Sequence, residues 1–167
     1  MITPDWVRMM AAYNAEMNRR LYAAASRLPE HARIHGRGAF WGSIHGTFCH
    51  LLWGDRMWMS RFAGWPKPDR GLRDSATLEP DFAALRAARE EADAGIIAWA
   101  SAVDPAWLGG ELRWFSGAAQ REMRRSTAVL VTHFFNHQTH HRGQAHAMLT
   151  AAGEQTGDTD LMLVVHD

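Results

Sequence analysis

The sequence is as informative for what it lacks as for what it holds. A single cysteine, Cys49, in 167 residues leaves no internal disulfide to staple the fold. No hydrophobic run approaches the roughly 18 residues that a membrane span needs, because charges or glycines interrupt every one. Neither charge is in excess: 18 Lys and Arg against 18 Asp and Glu give a formal charge of zero, which removes the long-range field that gathers polyanions. Arg121, Arg124 and Arg125 form only a small basic cluster, read as a solvated edge. The opening residues Met1 to Trp6 lack the basic start and apolar core of a signal peptide. Together these absences predict a soluble cytoplasmic protein, with no membrane and no nucleic acid among its partners.

Familiar catalytic motifs are missing too. There is no Gly-x-Ser-x-Gly elbow, no phosphate-binding loop of the P-loop type and no His-Glu-x-x-His pair. A ferritin-like di-iron site needs Glu-x-x-His pairs, and the chain has none. Two residue types stand out instead. There are eight tryptophans and ten histidines, and five of the histidines fall between His133 and His146.

Apolar residues recur at helical spacing in four stretches. Thr3-Pro4-Asp5 is a helix start, and Trp6, Met9, Met10, Tyr13, Met17 and Leu21 follow it to about Ser26. After a glycine-rich passage from His31 to Gly42, Ser43 can cap a second helix that ends near Gly64. Pro66 to Thr77 reads as an exposed, mobile crossover. Glu79-Pro80-Asp81 repeats the proline-and-acid start, and Phe82, Leu85, Ala92, Ile96 and Trp99 form a third stripe that Arg89 breaks. Glu111 to Ser116 and the residues from Arg121 fit two short strands around the turn Gly117-Ala118-Ala119-Gln120. A last helix runs from a Ser126 cap to about Ala152, with its stop at Gly153. The tail from Thr159 to Asp167 carries an apolar patch expected to dock back. With no repeat and no linker, the pattern predicts one all-α domain over residues 1–167, a four-helix bundle with a possible two-stranded hairpin before the last helix.

Residues four apart on a helix differ by only about 40° in azimuth, so His137 and His141 share a face and can reach one ion. Leu130, His133, Gln144 and Met148 continue the stripe, which places it on the core side of the last helix. A third ligand has to come from elsewhere. His50 lies mid-helix with Gly46 and Gly54 one turn to either side, and glycine inside a helix costs about 1 kcal/mol relative to alanine, so open space or close packing is required there. Spacing alone leaves a His133/His137 pair as open as a His137/His141 pair, and leaves His50 as open to a carbonyl partner as to a metal. Gln144 is placed to orient a ligand ring, or is simply a buried amide. His140 is rotated about 100° from His141, and His146 lies nearly opposite His137. Trp53 and Met57 lie near His50 in azimuth, where they line a pocket mouth or pack in the core. Cys49, next to His50, faces elsewhere.

The run His133-Phe134-Phe135-Asn136-His137-Gln138-Thr139-His140-His141-Arg142-Gly143-Gln144 closely resembles the C-terminal motif of the DinB family, also called DinB/YfiT-like metalloenzymes. Tyr13-Asn14 with Asn18, and Ser43 to Trp58 around His50, carry the resemblance over most of the chain. The resemblance implies an antiparallel four-helix bundle, commonly a homodimer, with one divalent ion, usually zinc or nickel. It maps the ligands onto His50, His137 and His141 and so selects His50 over His133. Relatives in the wider superfamily include thiol S-transferases that use bacillithiol or mycothiol, and a mycothiol-dependent isomerase. A small thiol cosubstrate is therefore implied; a metal-dependent hydrolase and a noncatalytic metal-binding stress-response module are the alternatives. The chain departs from its relatives at Cys49, where they often carry Asn, at Gly54, where they often carry Ala, and after Gly153, where it lacks their usual proline.

Overall fold

The computed structural model describes residues 1–117 and 119–165. It is mostly helical, with one two-stranded sheet. Four long helices carry the architecture: α1 (Pro4–Arg27), α3 (Ile44–Phe62), α4 (Phe82–Ser101) and α6 (Thr127–Ala151). α1 packs on α4 and α6, and α3 packs on the same two helices. Short helices fill the connections: α2 (Glu30–Ile34), α5 (Pro105–Leu108) and α7 (Leu161–Val164), none of which has a pattern long enough to be read from the sequence.

The helix starts follow local chemistry. The Thr3 hydroxyl accepts from the Trp6 amide with Pro4 at the first position, and the Ser43 hydroxyl accepts from the Gly46 amide. Two expectations need correction here. Asp81, not the Glu79-Pro80 pair, starts α4, because its carboxylate accepts from the Ala84 amide and Pro80 is left outside. Ser126 precedes α6 but makes no side-chain capping bond.

β1 (Glu111–Ser116) and β2 (Arg121–Ser126) form the expected antiparallel hairpin, with Trp114 opposite Met123. Of its turn, Ala118 lies outside the described residues, and Gln120 takes a positive φ of 51°.

The crossover is only in part the exposed segment anticipated from its polar composition. Leu72–Thr77 winds into a 3-10 turn against α3, and Ser75 is fully buried. The tail also differs from expectation. Tyr13 donates its hydroxyl to the Thr159 carbonyl and Arg20 donates to the Asp158 carbonyl, so the polar backbone docks on α1. The apolar side chains Met162 and Leu163 remain largely exposed; His166 and Asp167 lie outside the described residues.

The core has two apolar halves. One gathers Leu21, Tyr22, Phe48, Leu52, Leu85 and Leu149; the other gathers Val7, Met59, Phe62, Ile96, Val131 and Phe134. Between them the four long helices contribute buried polar side chains: Asn14 and Asn18 from α1, Asp55 from α3, Arg89 and Asp93 from α4, Gln138 and Arg142 from α6. Arg89 donates to Asp55 at 2.6 Å and pairs with Asp93 at 2.9 Å; Gln138 donates to Asp55 at 3.0 Å; Asn14 and Asn18 donate to Asp93; Arg142 donates to Asn14. Burial pushes the Asp55 and Asp93 carboxyls up, and Arg89 pulls both back toward ionisation. Removing a charged member would leave a buried charge short of a partner, and removing an amide would leave it short of a hydrogen bond, so the layer favours one register of the helices. Arg89, the residue that broke the apolar stripe of α4, is its centre.

Candidate metal centre

His137 and His141 project from α6, His50 from α3, and the ligand nitrogens of all three fall within 4.8 Å of one another. Among the described residues this group contains no cysteine, aspartate or glutamate. The Nε2 atoms of His50 and His137 stand 3.0 Å apart. The His50 and His141 rings meet at 4.6 Å between centroids, and those of His137 and His141 at 4.5 Å.

Gln138 and Arg142, each one residue after a histidine, reach into the polar layer through Asp55 and Asn14. α6 is thereby held with its two histidines turned to α3. The glycine beside them has a specific reason: a Cβ at position 54 would stand 2.8 Å from Cε1 of His137, so only glycine lets that ring in undisturbed. Gly46 serves a different contact, since a Cβ there would lie 2.4 Å from the Trp41 carbonyl oxygen.

Hydrogen bonds select the tautomers. Oε1 of Gln144 can only accept, so Nδ1 of His141 donates to it at 2.8 Å and Nε2 keeps its lone pair. Nδ1 of His50 is 2.9 Å from the Ser75 hydroxyl, which leaves Nε2 facing His137. All three imidazoles are held neutral. Burial, then the neighbouring His137 and His141, push His50 down to about 3. Burial, then His141, push His137 down to about 3, and burial lowers His141. Three neutral nitrogen donors with converging lone pairs need no deprotonation to take up a cation, and the donor set fits a borderline metal such as zinc or nickel.

The remaining residues singled out from the sequence fall into different places. His133 is exposed and outside the three-histidine group; its ring lies 5.2 Å from Trp58 and 6.0 Å from His137. Exposed His140 packs its ring 4.7 Å from His141 and accepts from the Gln144 amide at 3.3 Å. His146, on the far face, bonds Thr156. Half-buried Trp53 lies roughly parallel to His50 at 5.9 Å and donates its indole N–H to the Arg70 carbonyl. Met57 is half-buried, with no recorded contact to the histidines. Cys49 is buried and bonds the Glu79 carbonyl, away from the cluster.

Two contacts were not anticipated. Trp41 stacks on His50 at 3.9 Å with 19° between planes; its only sequence signal is its place in the glycine-rich passage, where Gly38 and Gly42 both have positive φ. Ser75 carried no signal, because a serine in a polar crossover is unremarkable until the crossover folds back. Two cavities, of about 200 Å³ between α1, α6 and the tail and about 570 Å³ beside Trp65 and Gly95, are not lined by the three histidines.

No helix among the described residues is long and apolar enough to cross a membrane. No curated protein matches the chain. A solved DinB-like protein from Bacillus cereus shares its fold at 12% identity, with a TM-score of 0.62 over 85% of this chain and 89% of that one. The model of the DinB family matches residues 1–166, and the chain belongs to that family.

Proposed function

We propose that the chain is a single DinB-type domain over residues 1–167, an antiparallel four-helix bundle that binds one divalent ion, zinc or nickel, through His50, His137 and His141. We read it as a cytoplasmic, homodimeric enzyme that activates a low-molecular-weight thiol for transfer to an electrophile. The observation that carries the site is the convergence of three neutral imidazoles with no carboxylate or thiolate among the described donors. A set of three protein ligands is the pattern of open, catalytic sites rather than of saturated structural ones. When bound, a divalent ion supplies a Lewis acid that lowers the pKa of a thiol into the neutral range.

The chain's own residues then have separable tasks. The three imidazoles would hold the ion, while Gln144 fixes the Nδ1 proton of His141 and Ser75 bonds Nδ1 of His50, which orients both rings. Trp41 and Trp53 flank His50 and keep water from its faces. The thiol would lose its proton to solvent, its sulfur would bond to the electrophilic carbon, and the leaving group would depart with the electron pair of the broken bond. Among the described residues no carboxylate joins the three-histidine group, which favours thiol transfer over water activation assisted by a carboxylate base.

The test is conjugation of a small thiol to a chromogenic electrophile by zinc- and nickel-loaded protein purified without a polyhistidine tag. Turnover should require metal and vanish in His137→Ala. Equal turnover by the metal-free protein would rule the reading out.

A further inference from the structure

The proposed function leaves one cluster without a task. Arg61, near the C-terminal end of α3, holds its guanidinium carbon 4.4 Å from the Trp58 ring and 5.6 Å from the Trp114 ring of β1. Trp58 is anchored to the core by Phe62 at 5.6 Å and meets Trp114 at 6.0 Å, so the aromatic frame is fixed. Among the described residues no carboxylate lies within ion-pair distance of Arg61. Indoles desolvate the faces of a guanidinium but cannot accept from its planar N–H edge. Arg61 is thus a positioned, half-buried cation whose hydrogen-bonding edge is unspent.

The cluster lies on the seam that bears the histidines. On α3, His50, Gly54, Met57, Trp58 and Arg61 follow three-four spacing; on α6, His141, His137 and His133 do the same, and the two helices pack together. His133 bridges the two regions, with its ring 6.0 Å from His137 and 5.2 Å from Trp58. From the level of Gly54, where His137 sits, to Arg61 is roughly 10 Å along the helix axis.

We propose that Arg61, framed by Trp58 and Trp114, binds a carboxylate of the small thiol, which is therefore an acidic thiol with its anionic group roughly 6–10 Å from sulfur, the rise from Gly54 to Trp58 and to Arg61. His133 borders the path between sulfur and carboxylate and does not ligate the metal. The inference rests on the thiol-activating reading above and adds the charge and reach of the cosubstrate.

Glutathione is a suitable probe, because its extended γ-glutamyl arm puts a carboxylate up to roughly 10 Å from sulfur and its carboxylates can be masked without changing that reach. Binding of glutathione, glutathione diethyl ester and S-methylglutathione to zinc-loaded protein is measured by calorimetry, in the native chain and in Arg61→Gln and Arg61→Lys. Glutathione should bind about tenfold or more tightly than its diester. Arg61→Gln should erase that preference and Arg61→Lys should keep part of it, with zinc content and melting temperature unchanged. Equal affinity for acid and ester, a preference that survives Arg61→Gln, or no binding of any of the three would overturn the inference. If S-methylglutathione matches glutathione and still depends on Arg61, the anion subsite stands and the thiol reading fails. If acid and ester bind alike but only through a free thiol, the thiol reading stands and the subsite fails.

Discussion

The imidazole of His137 occupies the space in which a side chain at Gly54 would begin: a Cβ there would stand 2.8 Å from Cε1. Alanine would favour the helix by about 1 kcal/mol but push the ring out of line with its partners. Gly54→Ala should therefore raise or preserve the melting temperature of the metal-free protein while weakening zinc binding about tenfold, measured by competition with a chelator. Unchanged affinity would mean that the ring moves at no cost.

The three-histidine group predicts a sharp contrast among single variants. His50→Ala, His137→Ala and His141→Ala should each lose the bound equivalent of metal in elemental analysis of tag-free protein. His133→Ala should keep it. Loss of metal in the His133 variant would relocate the site toward the 133/137 pair.

Ser75 touches His50 from a segment with no other link to the histidines. Ser75→Ala should lower metal affinity about tenfold or more, because the ring loses the side-chain partner of its Nδ1 that holds its orientation. Stability of the metal-free fold should fall by only about 1 kcal/mol, the usual worth of one hydrogen bond. Urea unfolding and metal competition on the same sample separate the two effects.

The polar layer should dominate stability. Asp55→Ala takes one of its two carboxylate partners from buried Arg89, and the acceptor of Gln138, and should cost about 3–5 kcal/mol in urea unfolding. Replacing both by apolar residues, Asp55→Leu with Arg89→Met, should cost clearly less than the sum of the single changes, since the double change leaves only Asp93, still bonded by Asn14 and Asn18, without its cation. Strict additivity would show that the pair does not act as a unit.

Acid should destabilise the metal-free protein through its histidines. In the fold His50 and His137 are held down to about 3, while an unfolded histidine titrates near 6.5. Between those values the unfolded chain binds more protons, so stability is fully present above about pH 6.5 and is lost as pH falls toward about 3. The slope is at most about 1.4 kcal/mol per pH unit for each histidine. Urea unfolding in the presence of a chelator from pH 7 to pH 4 should show it, and a His50→Gln/His137→Gln double variant should flatten it. An unchanged slope in that variant would place the acid sensitivity elsewhere.

Local sequence determined the long helices, the hairpin and the shared face of His133, His137 and His141, because these follow from nearest-neighbour geometry: periodicity of 3.6, capping side chains, and a four-residue step that brings successive rings to one face. It also marked Arg89 and Gly54 as residues in want of an explanation. What spacing could not determine was whether His133 or His141 joins His137, and whether distant His50 meets them or a carbonyl. Only the tertiary structure brings His50 Nε2 within 3.0 Å of His137 and leaves His133 against Trp58, outside the group. The same packing folds a polar crossover back to present Ser75, and gives Arg89 its two aspartates. The reason is physical: contacts between helices depend on their register, and here the four long helices meet through a buried layer of charged and amide side chains, which no local stretch of sequence contains.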